Sequence, residues 1–257
     1  MKDQGTIFYP KILKGLSWQG PRIVDRPIGK RILVLAPHPD DDILACGGTL
    51  IKHRNSGDEI TSVYLTDGGK GGKTYDSDKQ LVEERERESR SAGELIGLKR
   101  QIFLRHRDQE LKATSETVDE MTALLAEIKP DTVYLPFILD GFYHRDHMET
   151  NRILAKAMAV SEHVFICSGY ELYSPLVPNT LVDVTKEMHL KIAAIRTFKT
   201  QLAVRDYLAA TVSLNRFRGL TFGSPGTKFM EAYYCADRDA YCELLRFVLS
   251  GSEWYDE

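Results

Sequence analysis

Residues 31–35 (RILVL) form an apolar run that stops at Ala36-Pro37-His38-Pro39-Asp40-Asp41-Asp42, and residues 43–51 then return to apolar or glycine positions at helical spacing. A buried strand, an acidic loop and a buried helix therefore follow one another without a gap, which is the unit from which parallel α/β sheets are built. In such sheets ligands gather outside the carboxyl ends of the strands, where the first strand-to-helix loop contributes. An imidazole and three carboxylates on that loop can hold a metal ion and leave one carboxylate over as a base. A lone acidic triplet also fits an N-cap or a solvated turn, because Asp readily accepts from helix-start amides. That reading leaves His38 unexplained, since the prolines on both sides of it stiffen a loop that a plain turn could leave loose.

Two protein ligands would under-hold a zinc ion, because catalytic sites normally supply three and keep one position open. A second cluster appears far downstream at His144-Arg145-Asp146-His147. It follows the β-branched, apolar run 131–135 (DTVYL) and precedes helical spacing over 149–159, carried by Ile153, Leu154, Ala157 and Met158. Taken alone, two histidines three apart also describe a surface helix start. Two such loops, each at the carboxyl end of an expected strand, favour a shared site.

At these residues the chain resembles the zinc-dependent deacetylases of the LmbE-like or PIG-L type, which remove acetyl groups from N-acetylglucosamine-containing substrates. The resemblance is carried by Pro37-His38-Pro39-Asp40-Asp41 and His144-Arg145-Asp146-His147, with weaker similarity over 31–158. It implies His38, Asp41 and His147 as metal ligands, Asp40 as general base, His144 as the residue that stabilises the oxyanion, and Asp146 as the group that orients and tunes His144. Asp42 stands where relatives usually carry Glu, and Arg145 where Pro is common. The implied cofactor is Zn2+, although a His2Asp set also accepts Fe2+ or Co2+.

The chemistry of amide hydrolysis agrees with this assignment. An amide needs an activated water, a polarised carbonyl and a proton for the departing amine. A metal supplies the first two, a free carboxylate moves the proton, and an imidazolium steadies the tetrahedral oxyanion. Adjacent side chains on a loop diverge, so Asp41 can face the metal while Asp40 faces the water. Tyr143 offers either a hydroxyl donor at the oxyanion or a plain aromatic wall.

The helix expected over 79–97 has an inward stripe through Leu81, Ala92, Leu95 and Ile96 that also passes through Arg85 and Glu88. Charges on such a stripe are costly unless paired or functional, so Arg85 reads either as a salt-bridged or snorkelling residue or as a substrate contact. The family resemblance, an Arg with a Glu three residues on and an Ile-Gly end, favours recognition of a substrate hydroxyl or phosphate by Arg85. Asp108, after the apolar run 102–104, resembles the family's sugar-hydroxyl acidic position, while a loop Asp among Arg105, Arg107 and Gln109 fits nearly as well. The stretch Asp67-Gly68-Gly69-Lys70-Gly71-Gly72-Lys73-Thr74 approaches a phosphate-binding loop, but it has Asp67 in place of the first Gly and opens onto a polar stretch instead of a helix. A flexible basic lip fits it better, with Lys70 and Lys73 free to meet an anionic aglycone.

The strand and helix alternation from 31 to about 168 predicts a three-layer, Rossmann-like, mostly parallel sheet with helices on both faces. At 257 residues the chain suits a single LmbE-like domain: an extended arm over 1–28 carrying Pro10, Pro21 and Pro27, a core over 29–168, and substrate-side elements over 169–257. A strand over 181–184 and helices over 186–198 and 239–249 are expected to pack on the sheet edge. Arg205, Arg216, Arg218 and Lys228 offer charges that could read a phosphate or carboxylate. With 34 basic against 37 acidic residues the net charge is −3 and no basic stripe stands out, which argues against nucleic acid as the main partner. No run approaches the ~20 apolar residues of a membrane span, and the first residues do not read as a signal peptide. Cys46, Cys167, Cys235 and Cys242 lack Cys-x-x-Cys spacing, as expected of a protein working in a reducing cytoplasm. The expected activity is removal of the N-acetyl group from an amino-sugar conjugate. Hydrolysis of another bond, such as a phosphoester, a non-catalytic sugar-binding module and a nucleotide-binding role for the glycine-rich loop remain the competing readings, and homo-oligomerisation stays open.

Overall fold

The computed structural model describes residues 20–72, 78–142 and 144–250. The run that begins the chain's first strand-to-helix unit is β2 (Arg31–Ala36), every residue after Arg31 being buried. Its odd and even positions serve different faces. Leu33 and Leu35 join one core and Ile32 and Val34 the other, because side chains alternate across a strand and both faces of this sheet are covered.

In chain order the elements are β1 (Arg22–Val24), β2, α1 (Asp41–Asn55), β3 (Glu59–Thr66), α2 (Asp78–Ile96), β4 (Arg100–His106), α3 (Ser115–Ile128), β5 (Thr132–Pro136) and a 3-10 turn over Ile138–Phe142. After it come α4 (Arg145–Val160), β6 (Ile166–Tyr170), β7 (Thr180–Asp183), α5 (Met188–Ile195), the short α6 (Lys199–Leu202), α7 (Tyr207–Phe222), β8 (Met230–Asp237) and α8 (Arg238–Ser250). The strands form one sheet in the order β1-β7-β8-β6-β5-β2-β3-β4. All its neighbours are parallel except β8, which runs antiparallel to both β6 and β7. The core packs Met121, Leu125, Ile153, Leu154 and Leu245 of α3, α4 and α8 against one face. Ile43, Leu50, Ala92, Ile96 and Ile195 of α1, α2 and α5 cover the other. This is the three-layer α/β architecture expected from the alternation.

Two expectations about the ends of the chain change. Residues 22–24 of the anticipated arm are a strand, paired in register with β7 from Arg22↔Thr180 to Val24↔Val182; residues 1–19 lie outside the described residues. The C-terminal elements do not sit on the sheet edge. β8 inserts between β6 and β7, α5 packs on α1 and α2, and α8 packs on α4. The long apolar strand β8 satisfies its backbone on both sides only from an interior position.

The order places β2 between β5 and β3, so the chain leaves β2 toward one edge and returns on its other side. The loops after β2 and β5 therefore diverge from neighbouring strand ends and leave a crevice, the position where open α/β sheets bind ligands.

Candidate metal centre

His38, Asp40, Asp41 and Asp42 end β2 and open α1, and all four are buried. The loop turns tightly, with the amides of Asp40 and Asp41 both reaching the carbonyl of His38. Asp41 and Asp40 diverge as adjacent loop residues should. Asp41 Oδ2 accepts from the His38 amide at 2.9 Å, lies 3.1 Å from His38 Nδ1 and lies 3.4 Å from His147 Nε2. Asp40 Oδ1 instead accepts from Arg85 at 3.0 Å. Asp42 turns inward, taking the Tyr64 hydroxyl and the Ile43 amide.

His144 is the N-cap residue of α4, and Asp146 and His147 lie in its first turn. The rings of His38 and His144 stand 4.5 Å apart and those of His38 and His147 5.5 Å apart, so the two loops meet. Asp146 departs from expectation. Its Oδ2 lies 3.2 Å from His38 Nε2 and accepts the Gln109 amide at 2.8 Å, so it is oriented by the first loop and by the end of β4 instead of being bonded to His144. Asp108, also from the end of β4, joins the cluster with Oδ1 3.3 Å from His38 Nε2 while accepting the Lys70 amide at 2.9 Å.

Two sets of donor atoms each fall within 4.8 Å of one another: His38, His144 and His147, and His38, Asp108, His144 and Asp146. Asp41 joins His38 and His147 pairwise through one oxygen. Among the described residues, buried Asp41 Oδ1, Asp146 Oδ1, His144 Nδ1 and His147 Nε2 lack hydrogen-bond partners. Unpartnered buried donors and acceptors are rare, and an ion is one standard reason for them. Imidazoles with carboxylates also form a donor set suited to a borderline divalent cation, so the residues present fit one.

The electrostatics point the same way. Burial alone would push His38 down, but hydrogen bonds from its ring to the carboxylates of Asp108, Asp146 and Asp41 hold it well above the ordinary histidine value. Burial would likewise raise Asp41, yet the charges and hydrogen bonds of His147 and His38 keep it well below the carboxylate range. The His38 ring and the Asp41 carboxylate thus hold each other in opposite charge states. Asp40 differs: burial pushes it up to about 6 against the opposing charge of Arg85. His144 moves down to about 4 through burial and the neighbouring His38 and His147 charges, which favour its neutral form.

Arg85 is 3% exposed, pairs with Asp40 and donates to the Gly68 carbonyl at 2.8 Å, so it is at once a salt-bridged residue and part of the cavity wall. Gly68 has φ +65° and a β-carbon there would fall 2.4 Å from Arg85 Nη1, which is why glycine stands at that turn. Glu88 faces elsewhere, accepting the Thr200 amide and hydroxyl and so tying α2 to α6. Lys70 is not a free cation, since its ammonium pairs with Asp78 at 2.8 Å. Lys73 and Tyr143 lie outside the described residues.

A cavity of about 470 Å³ opens over the cluster, and its wall includes His38, Asp40, Arg85, Asp108 and His144. Its far side comes from Tyr173, Gln201, Arg205 and Tyr207. Of these, Arg205 is among the basic residues singled out from the sequence, whereas Tyr173 and Tyr207 were missed, along with Asp140. Asp140 Oδ2 lies 2.8 Å from His147 Nδ1, and Oδ1 accepts the amides of Tyr173 and Ser174, so one buried carboxylate fixes the His147 ring and the loop after β6 together. Tyr173 in turn packs with its ring 5.2 Å from that of His147. A carboxylate on the far nitrogen is the usual partner of a metal-ligating histidine, and that rule could have prompted a search for Asp140. Arg218, one of the basic residues of the C-terminal third, is instead buried in a pair with Glu171.

Residues 33–158 match the family model described as PIG-L, GlcNAc-PI de-N-acetylase. The chain is 28% identical over 193 residues to a diacetylchitobiose deacetylase of Thermococcus kodakarensis, covering 67% of this chain and 70% of that one. It is 29% identical over 230 residues to a 1D-myo-inositol 2-acetamido-2-deoxy-alpha-D-glucopyranoside deacetylase of Actinosynnema mirum, covering 68% and 81%. Among solved structures it resembles N,N'-diacetylchitobiose deacetylase of Pyrococcus horikoshii, with TM-score 0.71, 25% identity, and 81% and 84% of the two chains covered.

Proposed function

Because the chain belongs to the PIG-L (LmbE-like) family, we propose that it is a metal-dependent N-deacetylase that hydrolyses the N-acetyl group of an N-acetylglucosamine-type sugar or its conjugate to acetate and a free amine. The observation that carries this reading is the meeting of the two His/Asp loops, with their unpartnered donors, beneath a cavity of sugar size. His38, Asp41 and His147 would hold the ion, zinc by preference, with iron or cobalt as chemically adequate substitutes. Such an ion supplies Lewis acidity, polarising a carbonyl and making water a stronger nucleophile.

The chain's own residues do the rest. Asp40 faces the cavity with a carboxyl raised toward neutrality, where a group can both take a proton from water and return it to the leaving nitrogen. Arg85 keeps it from rising further and holds it with one guanidinium hydrogen bond, while a second, to the Gly68 carbonyl, fixes the guanidinium itself. His144, neutral, presents an N–H to the developing oxyanion. Asp146 acts on His38, and Asp140 on His147, so each imidazole has a carboxylate behind it. Asp108 sits at the cavity wall where it can accept from a sugar hydroxyl, and Arg85 is positioned beside it.

The rest of the proposal concerns setting and organisation. One LmbE-like domain would span the whole chain, and the four free cysteines suit a reducing cytoplasm. No helix among the described residues is long and apolar enough to cross a membrane. Incubation with N-acetylglucosamine and its glycosides, with acetate and amine measured separately, tests the reaction. Equal release of both is expected, and phosphate or sugar release without acetate would point to another hydrolysis.

A further inference from the structure

We infer that the substrate cleft continues past Tyr173 and Tyr207 into a second, apolar cavity that receives an apolar substituent of the amino sugar, carried either as an alkyl or aryl aglycone or as an N-acyl chain longer than acetyl. The inference rests on the reading of the first cavity as an amino-sugar site.

The second cavity, about 210 Å³, shares Tyr173, Arg205 and Tyr207 with the first. Its wall is largely apolar, with Leu44 and Ala45 of α1, Leu172 after β6, and Ala210 and Leu214 of α7, beside Thr211 of the same helix. Leu44 and Ala45 lie one turn beyond Asp40 and Asp41, and Tyr173 packs on the His147 ring, so the cavity adjoins the cluster where the amide would react. Two of the polar side chains that line it are already paired. Glu171 accepts from Arg218 and from the Leu176 amide, and Asn215 Oδ1 accepts from buried Lys191, which itself pairs with Glu231 at 2.6 Å.

These pairings decide what can occupy the space. A polar ligand group set against the leucine and alanine wall would lose water there without gaining a partner, which is unfavourable. An apolar group loses only its hydration shell and gains contact with leucine and alanine side chains. The volume exceeds the roughly 150 Å³ apolar cavity that accommodates benzene, so an aryl ring or a short alkyl chain fits. Each methylene buried there should raise kcat/KM by about two- to fourfold.

The test uses two substrate series on the zinc-loaded protein: methyl to hexyl glycosides of N-acetylglucosamine, and methyl glucosaminide carrying acetyl to hexanoyl. It is repeated with Ala210→Trp, which fills the cavity from an exposed helix position, and with Leu214→Trp as a second filling variant. One series should rise with chain length in the native protein, and both variants should abolish the rise while the methyl glycoside keeps its rate. The rising series identifies whether the cavity takes the aglycone or the acyl chain. Flat series in a protein that turns over the methyl glycoside would overturn the inference and leave the deacetylase reading intact, as would a rise that survives both variants. If no substrate turns over, the deacetylase reading fails and calorimetry decides the cavity by itself. Tighter binding of hexyl than methyl glucosaminide, lost in Ala210→Trp, supports it, and equal binding of the two overturns it.

Discussion

Arg85 donates to Asp40 Oδ1 across 3.0 Å, with both side chains buried. The guanidinium thus stabilises the ionised form of a carboxylate that burial works to neutralise, and the net position is about 6. Removing the cation takes away the largest charge that opposes burial, ahead of His38 and His147. Arg85→Ala should therefore move the acidic limb of the kcat/KM profile to higher pH, since Asp40 must lose its proton to act. Arg85→Lys should recover little, because one ammonium cannot reproduce the fork that reaches both Asp40 and the Gly68 carbonyl. An unshifted acidic limb in Arg85→Ala would separate the pair from the chemistry.

Asp40→Asn keeps the volume of the side chain and removes its basicity. Turnover should fall by about 10²- to 10⁴-fold, the usual worth of a general base, with metal content unchanged by elemental analysis. Near-normal activity would remove Asp40 from the mechanism.

Asp140 holds His147 by its Nδ1 and the segment at Tyr173 and Ser174 by their amides. Asp140→Asn retains an acceptor but loses the charge behind the imidazole, so zinc affinity should weaken by about 10- to 100-fold in a competition titration. Asp41→Ala or His147→Ala should lose the ion altogether, and unchanged metal content in either would refute the ligand set.

Far from the site, His53 is buried between Asp58, at 2.8 Å, and the Tyr134 hydroxyl, at 2.9 Å. Burial holds its pKa below the ordinary value, with Asp58 opposing. The folded state therefore binds fewer protons at this position than the unfolded one, whose histidine titrates near ~6.5. The associated stability is complete above that pH and is lost as pH falls toward the folded value. Melting temperatures between pH 7.5 and 5.5 should fall less steeply in His53→Gln than in the native protein. Parallel slopes would show that His53 does not titrate on unfolding.

The parts of the site that lie within one loop could be read from the chain. His38, Asp40 and Asp41 follow a strand run so closely that strand, turn and helix fix where they sit, and His144 and His147 follow the same rule after β5. Partnerships made by topology could not be read in this way. Nothing local in Ile138–Phe142 marks Asp140 as the partner of His147, and Asp146 finds His38, 108 positions earlier, because β2 and β5 are neighbours. Likewise Gln201, Arg205 and Tyr207 line the cavity from a segment that Glu88 ties to α2 through Thr200, a contact between residues 112 positions apart. Residues 22–24 form too short a run, among prolines, to show strand alternation, and their pairing depends on β7.

The central claim is that the two His/Asp loops hold a metal ion that an amino-sugar deacetylation requires. It is tested most directly by measuring amine release with fluorescamine from a panel of N-acetylglucosamine derivatives, using the protein as isolated, after chelation, and after zinc is restored. Release that disappears on chelation and returns with zinc is the predicted result. Release that persists in verified metal-free protein, or no release from any derivative by protein carrying stoichiometric zinc, would contradict it.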